Sequence, residues 1–191
     1  MSSVQVSFFN LPRHLGSKKI HKRVVNIDKP ILSLWVYSCM HQFTHQQTVA
    51  ATQQEVWNFF SDPANLLRLT PPKMNMELAE KPQLPIYAGQ LVHLKVKPFP
   101  GLKQKWISEI SALEAPNYFI DKMLSGPFAL WHHQHRFKSH EGGGTLILDV
   151  VHYRLPLWPL SELFHPWLVK KELQDLFAFR RKQIEKHFGT T

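Results

Sequence analysis

Two alternating runs joined by Glu141-Gly142-Gly143-Gly144 constrain this chain more than any other feature. The first extends from Asn117 to His140 and the second from Thr145 to Leu155. Strand side chains alternate between two faces, so Trp131, His133, His135 and Phe137 share one face of the first arm. With Glu141-Gly142-Gly143 as the loop and His140 opposite Gly144, His135 faces Asp149, His133 faces Val151 and Trp131 faces Tyr153. A loop of Gly142-Gly143 alone would slip the pairing by one residue and part His135 from Asp149. The polar set His132, Gln134, Arg136 and Lys138 on the other face supports the first register. Leu146, Leu148 and Val150 make the second arm less decisive, since both of its faces are then apolar. An aromatic face with two histidines and an acid carries more polarity than a dry core tolerates and suits a ligand cavity.

The rest of the chain falls around this hairpin. Thr52-Gln53-Gln54-Glu55 is a capping box, in which the Thr52 and Glu55 side chains satisfy each other's free amides. It opens a helix carrying Val56, Trp57, Phe59 and Phe60. Asp62-Pro63 starts a second short helix, with the acid as N-cap and proline at the first position. A first strand begins at Met40. Further strands are expected over Met74–Ala79, Gly89–Lys97, Lys103–Leu113, Tyr118–Leu124, Phe128–His140 and Thr145–Leu155, parted by proline, glycine and asparagine. The aromatic connection with Trp158, Phe164 and Trp167 is expected to pack the start of the last helix, or to form a lid or rim. Pro166–Phe188 reads as that helix, with Val169, Leu173, Phe177, Ile184 and Phe188 on one stripe and Arg180 inside it.

At 191 residues the chain suits one domain with an appendage. Six basic residues and one acid before Met40 supply +5 of the net charge of +9. The body from Met40 is only mildly basic and lacks the clustered cations that nucleic acid requires, so no nucleic acid partner is expected. No apolar run approaches the roughly 20 residues of a membrane span. Cys39 is the single cysteine, which excludes intrachain disulfides and points to a reducing, cytoplasmic setting. Periodicity starts only at Met40. Residues 1–39 are read as an extra N-terminal segment, disordered or produced by a misplaced start, and residues 40–191 as the folded domain. The alternative for the first segment is a basic targeting or docking tail.

The pattern Phe119-x-Asp121, Gly126-Pro127-Phe128-x-x-Trp131-x-His133-x-His135-x-Phe137, Gly144 and Asp149-x-Val151-x-Tyr153-x-x-Pro156 resembles the SRPBCC superfamily of START-like, helix-grip proteins. Phe177-x-x-Arg180 and the Trp57–Leu69 region fit it too, and the resemblance is to an uncharacterised bacterial branch. It implies an α+β fold: a seven-stranded antiparallel sheet curled around a long C-terminal helix, with two short helices after the first strand. It also implies a cavity for a small hydrophobic or amphipathic molecule. Relatives bind lipids, sterols, polyketides or quinones, and some act as polyketide cyclases. No cofactor is expected, and no dinucleotide fingerprint is present.

Trp106, Phe119, Met123, Trp131, Val151 and Tyr153 are expected as wall residues, with plain core packing as the alternative for each. His133 and His135 could chelate a metal with Asp149 or Asp121, but a hydrogen-bonded pair is the expectation and no metal is assigned. His135 and Asp149 are also candidates for an acid–base pair, against the simpler reading that the acid anchors a buried histidine. Arg180 is expected to form an internal ion pair, with Asp121 as its best partner, or to bind an acidic head group. Three functions follow: ligand binding without catalysis as the first, a cyclase or dehydratase using the His–Asp pair, and an interaction module for a partner enzyme.

Overall fold

The structure, a computed structural model, describes residues 40–99, 102–157, 160–163 and 165–191. The expectations for residues 1–39, and for Trp158, Phe164 and the Trp167 side chain, lie outside the described residues. Strands β1 (His41–Val49), β2 (Glu77–Leu78), β3 (Leu91–Phe99), β4 (Leu102–Glu114), β5 (Tyr118–Ser125), β6 (Leu130–Ser139) and β7 (Thr145–Arg154) form one antiparallel sheet. Its order is β1-β7-β6-β5-β4-β3-β2, so β1 crosses over to pair with the last strand. Helices α1 (Gln53–Phe60) and α2 (Lys170–Phe188) complete the helix-grip arrangement, with two short 3-10 helices (Pro63–Leu67 and Pro72–Met74) between β1 and β3.

The β6–β7 hairpin takes the longer loop. His135 pairs with Asp149, His133 with Val151 and Trp131 with Tyr153. The His140 amide donates to the Gly144 carbonyl at 3.0 Å and closes the turn. Gly144 sits at φ +77°, and a Cβ there would meet the Val49 carbonyl, so both conformation and close approach require glycine.

Local chemistry also sets the helix starts. Thr52 and Glu55 form both halves of the capping box, and the Asp62 carboxylate accepts from the Ala64 amide at 2.9 Å. The expected strand over Met74–Ala79 shrinks to Glu77–Leu78. Pro71-Pro72 lead instead into a 3-10 turn, which Asn75 ends in the left-handed region at φ 42°. The last α-helix begins at Lys170 rather than Pro166, because a π-helical turn occupies His165–Val169. Bulges between Ile107 and Ser108 and between Ile110 and Ala112 interrupt the β4–β5 ladder. An extra residue bends a strand and raises its twist, which helps the sheet to curl.

Two apolar clusters fill the concave side. One joins α1 to the sheet through Val49, Val56, Trp57, Phe119, Phe137 and Ile147. The other packs α2 onto β7 through Val151, Tyr153, Leu173 and Phe177. Between them lies the site.

Candidate functional site

Strand register assembles a square of ionisable side chains. Asp121 of β5 stands opposite His133 of β6, and Asp149 of β7 stands opposite His135. All four occupy the concave face, since each strand turns alternate residues inward. Each imidazole then reaches both carboxylates. His133 Nε2 is 3.0 Å from Asp149 Oδ1, and its Nδ1 is 3.4 Å from Asp121 Oδ2. His135 Nε2 is 2.9 Å from Asp121 Oδ2. Its Nδ1 lies 3.0 Å from Asp149 Oδ1, without hydrogen-bond geometry. The two imidazole centroids are 3.7 Å apart, and Phe119 stacks on His135 at 4.2 Å. His45 of β1, opposite Asp149, brings Nδ1 to 3.9 Å from Asp149 Oδ2.

Three corners of this square are buried, with Asp149 1 % exposed, His133 4 % and His135 5 %, while the Asp121 side chain is 18% exposed. Burial opposes the charge on each acid, but the imidazoles of His133 and His135 beside them overcome it and hold both carboxyls well below the usual range. Burial likewise opposes protonation of His133, yet Asp121 and Asp149 raise its pKa above the ordinary value. The square therefore holds two carboxylates and favours a proton between them. A histidine flanked by carboxylates can accept or return a proton, which is the chemistry of a general acid–base group.

Beside the square is a cavity of about 160 Å³. Its polar side carries Asp121, His133 and His135. Its apolar sides come from α1, the 3-10 segment, β3, β4 and α2, including Phe59, Leu69, Ile86, Leu94 and Leu173. Ser61, Asn65, Leu66, Met74 and Met76 line it while remaining partly exposed, which places its open side at the 3-10 segment.

The expected wall residues divide. Trp106, Phe119, Asp121, Trp131, His133, His135 and Arg180 line the cavity. Met123, Asp149, Val151 and Tyr153 do not, and the expectation for them needs correction. They point to the concave side, but α2 lies over β7 there: Val151 and Tyr153 pack with Leu173 and Phe177, and Met123 is buried in the same cluster. Asp149 sits behind the two histidines. The Tyr153 hydroxyl contacts His165 Nε2 at 2.7 Å.

The expected ion pair of Arg180 with Asp121 is also absent. Asp121 Oδ2 is taken by the imidazoles, and Arg180 makes no ion pair or hydrogen bond among the described residues. Its guanidinium lies 4.8 Å from the Phe177 ring centroid, and its Nε is buried without a partner. Burial lowers its pKa, against the opposing pull of Asp149 and Asp121.

Sequence reasoning missed His45 and most of the apolar wall. For His45 the signal was available, since His41, Phe43 and His45 alternate along β1. Val92, Leu94 and Val96 of β3 had the strand period as well, but nothing in that period assigns them to a cavity.

A family model described as polyketide cyclase / dehydrase and lipid transport matches residues 40–181. The chain belongs to this family. No curated protein matches it. Among solved structures, TTHA0849 from Thermus thermophilus is 18% identical, with a TM-score of 0.61 over 76% of this chain and 95% of that one. Ginseng major latex-like protein 151 from Panax ginseng is 15% identical, with a TM-score of 0.58 over 78% and 98%. Norcoclaurine synthase of Thalictrum flavum, solved with a transition-state analogue, is 14% identical, with a TM-score of 0.54 over 78% and 96%. At these identities the likeness establishes the fold, and function rests on this family member's own site.

Asp121, His133 and His135 each present one donor atom, all within 4.8 Å of one another. Two imidazoles and a carboxylate at that spacing could take a divalent cation when both histidines are neutral. In the structure the same atoms engage one another. No helix among the described residues is long and apolar enough to cross a membrane.

Proposed function

We propose that this chain binds a small hydrophobic or amphipathic molecule in its internal cavity and sequesters or carries it. The apolar space between sheet and α2, with ionisable groups confined to one side, supports this reading most directly. Apolar walls supply affinity through buried area, while a few convergent polar groups fix orientation. The single cysteine suits a cytoplasmic site of action. Native mass spectrometry of protein purified from its own host tests the proposal, together with melting shifts on a panel of lipids, quinones and aromatics. A mass excess or a saturable rise in melting temperature is expected. Consistently empty protein that no compound stabilises would defeat it.

One observation favours a second reading, an acid–base enzyme of the cyclase or dehydratase type. His133 and His135 line the cavity with Asp121 and have Asp149 behind them, a placement that lets a proton reach a bound substrate. Any turnover found on a polyketide-like or aromatic substrate should fall at least about a hundredfold in His135→Ala and in Asp149→Asn. Unchanged turnover in both would remove the mechanism.

A further inference from the structure

Arg180 is 5 % exposed and lines the cavity, and among the described residues its guanidinium has no acceptor, with Nε buried and unpartnered. A guanidinium presents five N–H donors, and a buried charge without acceptors is among the costlier features a fold can retain. Asp121 and Asp149 lie close enough to favour its charge but form no contact within ion-pair distance. Asp121 Oδ2 and Asp149 Oδ1 are engaged by His135 and His133. The helix thus holds a cation at the cavity wall whose Nε has no hydrogen-bond partner among the described residues.

We infer that the molecule bound here is an aromatic carboxylic acid whose carboxylate docks on Arg180. This rests on the cavity reading above and names the ligand class. Three observations converge on it. The planar fork of arginine matches a carboxylate through two parallel hydrogen bonds. The cavity it lines has aromatic walls, with Trp106 and Trp131 edge to face at 5.3 Å and Phe119 stacked on His135. The volume is small: about 160 Å³ compares with the roughly 150 Å³ cavity that holds benzene. A ring with a short acidic arm fits such a space, whereas a long acyl chain would extend through the open side. A doubly charged phosphate would face both carboxylates with one guanidinium to balance it. A single carboxylate matches one guanidinium.

The test uses the full chain and four matched probes: 3-phenylpropionate, 3-phenylpropanamide, 3-phenylpropan-1-ol and 3-phenylpropylamine. Affinity is read by calorimetry and by emission of the tryptophans, two of which line the cavity. The acid should bind at least about tenfold more tightly than the amide, the gain of a charge-assisted hydrogen bond over a neutral one. In Arg180→Met that preference should vanish, with a melting temperature equal to or above wild type because an unpaired buried charge has gone. Arg180→Lys should keep only part of the preference, having charge without the fork. Acid and amide binding equally to wild type would overturn the inference while leaving the cavity reading intact. The amine binding most tightly would overturn it as well, by showing that the carboxylates govern the site. A preference for the acid that survives in Arg180→Met would show that another group reads the carboxylate. Failure of all four probes up to millimolar concentration would overturn the inference, while the cavity reading is decided by the wider ligand panel above.

Discussion

The two sides of the cavity are built on opposite principles. On the β5–β6–β7 side, Asp121, His133, Asp149 and His135 bind one another so closely that each depends on its neighbours. On the side of α1, the 3-10 segment and β3, residues such as Phe59, Leu69, Ile86 and Leu94 carry no directional chemistry. Apolar contacts are interchangeable within limits of volume, whereas a buried polar network is satisfied only as a whole. The apolar side should therefore tolerate change in stability and show it in ligand capacity, and the polar side should do the reverse.

Removing Asp149 is the most severe way to probe that contrast. Asp149→Ala removes the hydrogen-bond acceptor of His133 and the buried carboxylate beside His135 and should destabilise the domain by about 3–5 kcal/mol in denaturant unfolding, the range for breaking a buried pair. Asp149→Asn should cost less, because an amide oxygen remains. A loss below about 1 kcal/mol in the alanine variant would mean that water serves the square and the contrast is false.

Titration of the square gives a smaller effect, with a defined sign. The raised pKa of His133 contributes stability that is complete below about pH 6.5 and lost as pH rises through its folded value. The lowered values of Asp121 and Asp149 contribute stability above about pH 4, lost only as pH falls through theirs. Melting temperature should accordingly decline above about pH 6.5, and His133→Asn should flatten that decline. His132, lowered by burial and by His152, acts in the opposite direction, and it is present in both proteins. An undiminished slope in the variant would show that His133 is not the proton's site.

On the apolar side, Leu94→Phe adds volume where space exists. Stability should stay within about 1 kcal/mol of wild type, while any ligand that shifts the melting temperature should lose at least about tenfold in affinity. Unchanged affinity would place the ligand elsewhere and dissolve the comparison.

The polar side was far more legible in the sequence than the apolar one. Period two, a glycine-bearing turn and a polar outward face favour the cross-strand neighbours that His133 and His135 have, although the hydrogen bonds run from His133 to Asp149 and from His135 to Asp121. Asp121 could be assigned to the same face as Phe119 and Met123 from spacing alone. Depth within that face could not. Whether Val151 and Tyr153 meet a cavity or a helix depends on where α2 lands, which is decided by Leu173 and Phe177 packing on β7. Arg180 was visible as a charge on an apolar stripe, but its lack of a partner arises from how the imidazoles turn both acids away. Val92, Leu94 and Val96 are ordinary strand residues, and only the curl of the sheet makes them walls.

The smallest effect belongs to a surface pair at the rim of the apolar side. Lys73 Nζ reaches Glu172 Oε2 at 2.7 Å, joining the 3-10 turn at Pro72–Met74 to the first turn of α2. Glu172 also lines the cavity, so the pair lies where a ligand would enter. The lysine side chain is 53% exposed and the glutamate 26%. An ion pair so open to water gains little from Coulomb attraction and pays side-chain entropy to hold two long chains together. Lys73→Ala should therefore change unfolding free energy by no more than about 0.5 kcal/mol, and about 0.5 M salt should leave the difference smaller still. A loss above about 1 kcal/mol would mean that the apolar side depends on this contact for its position.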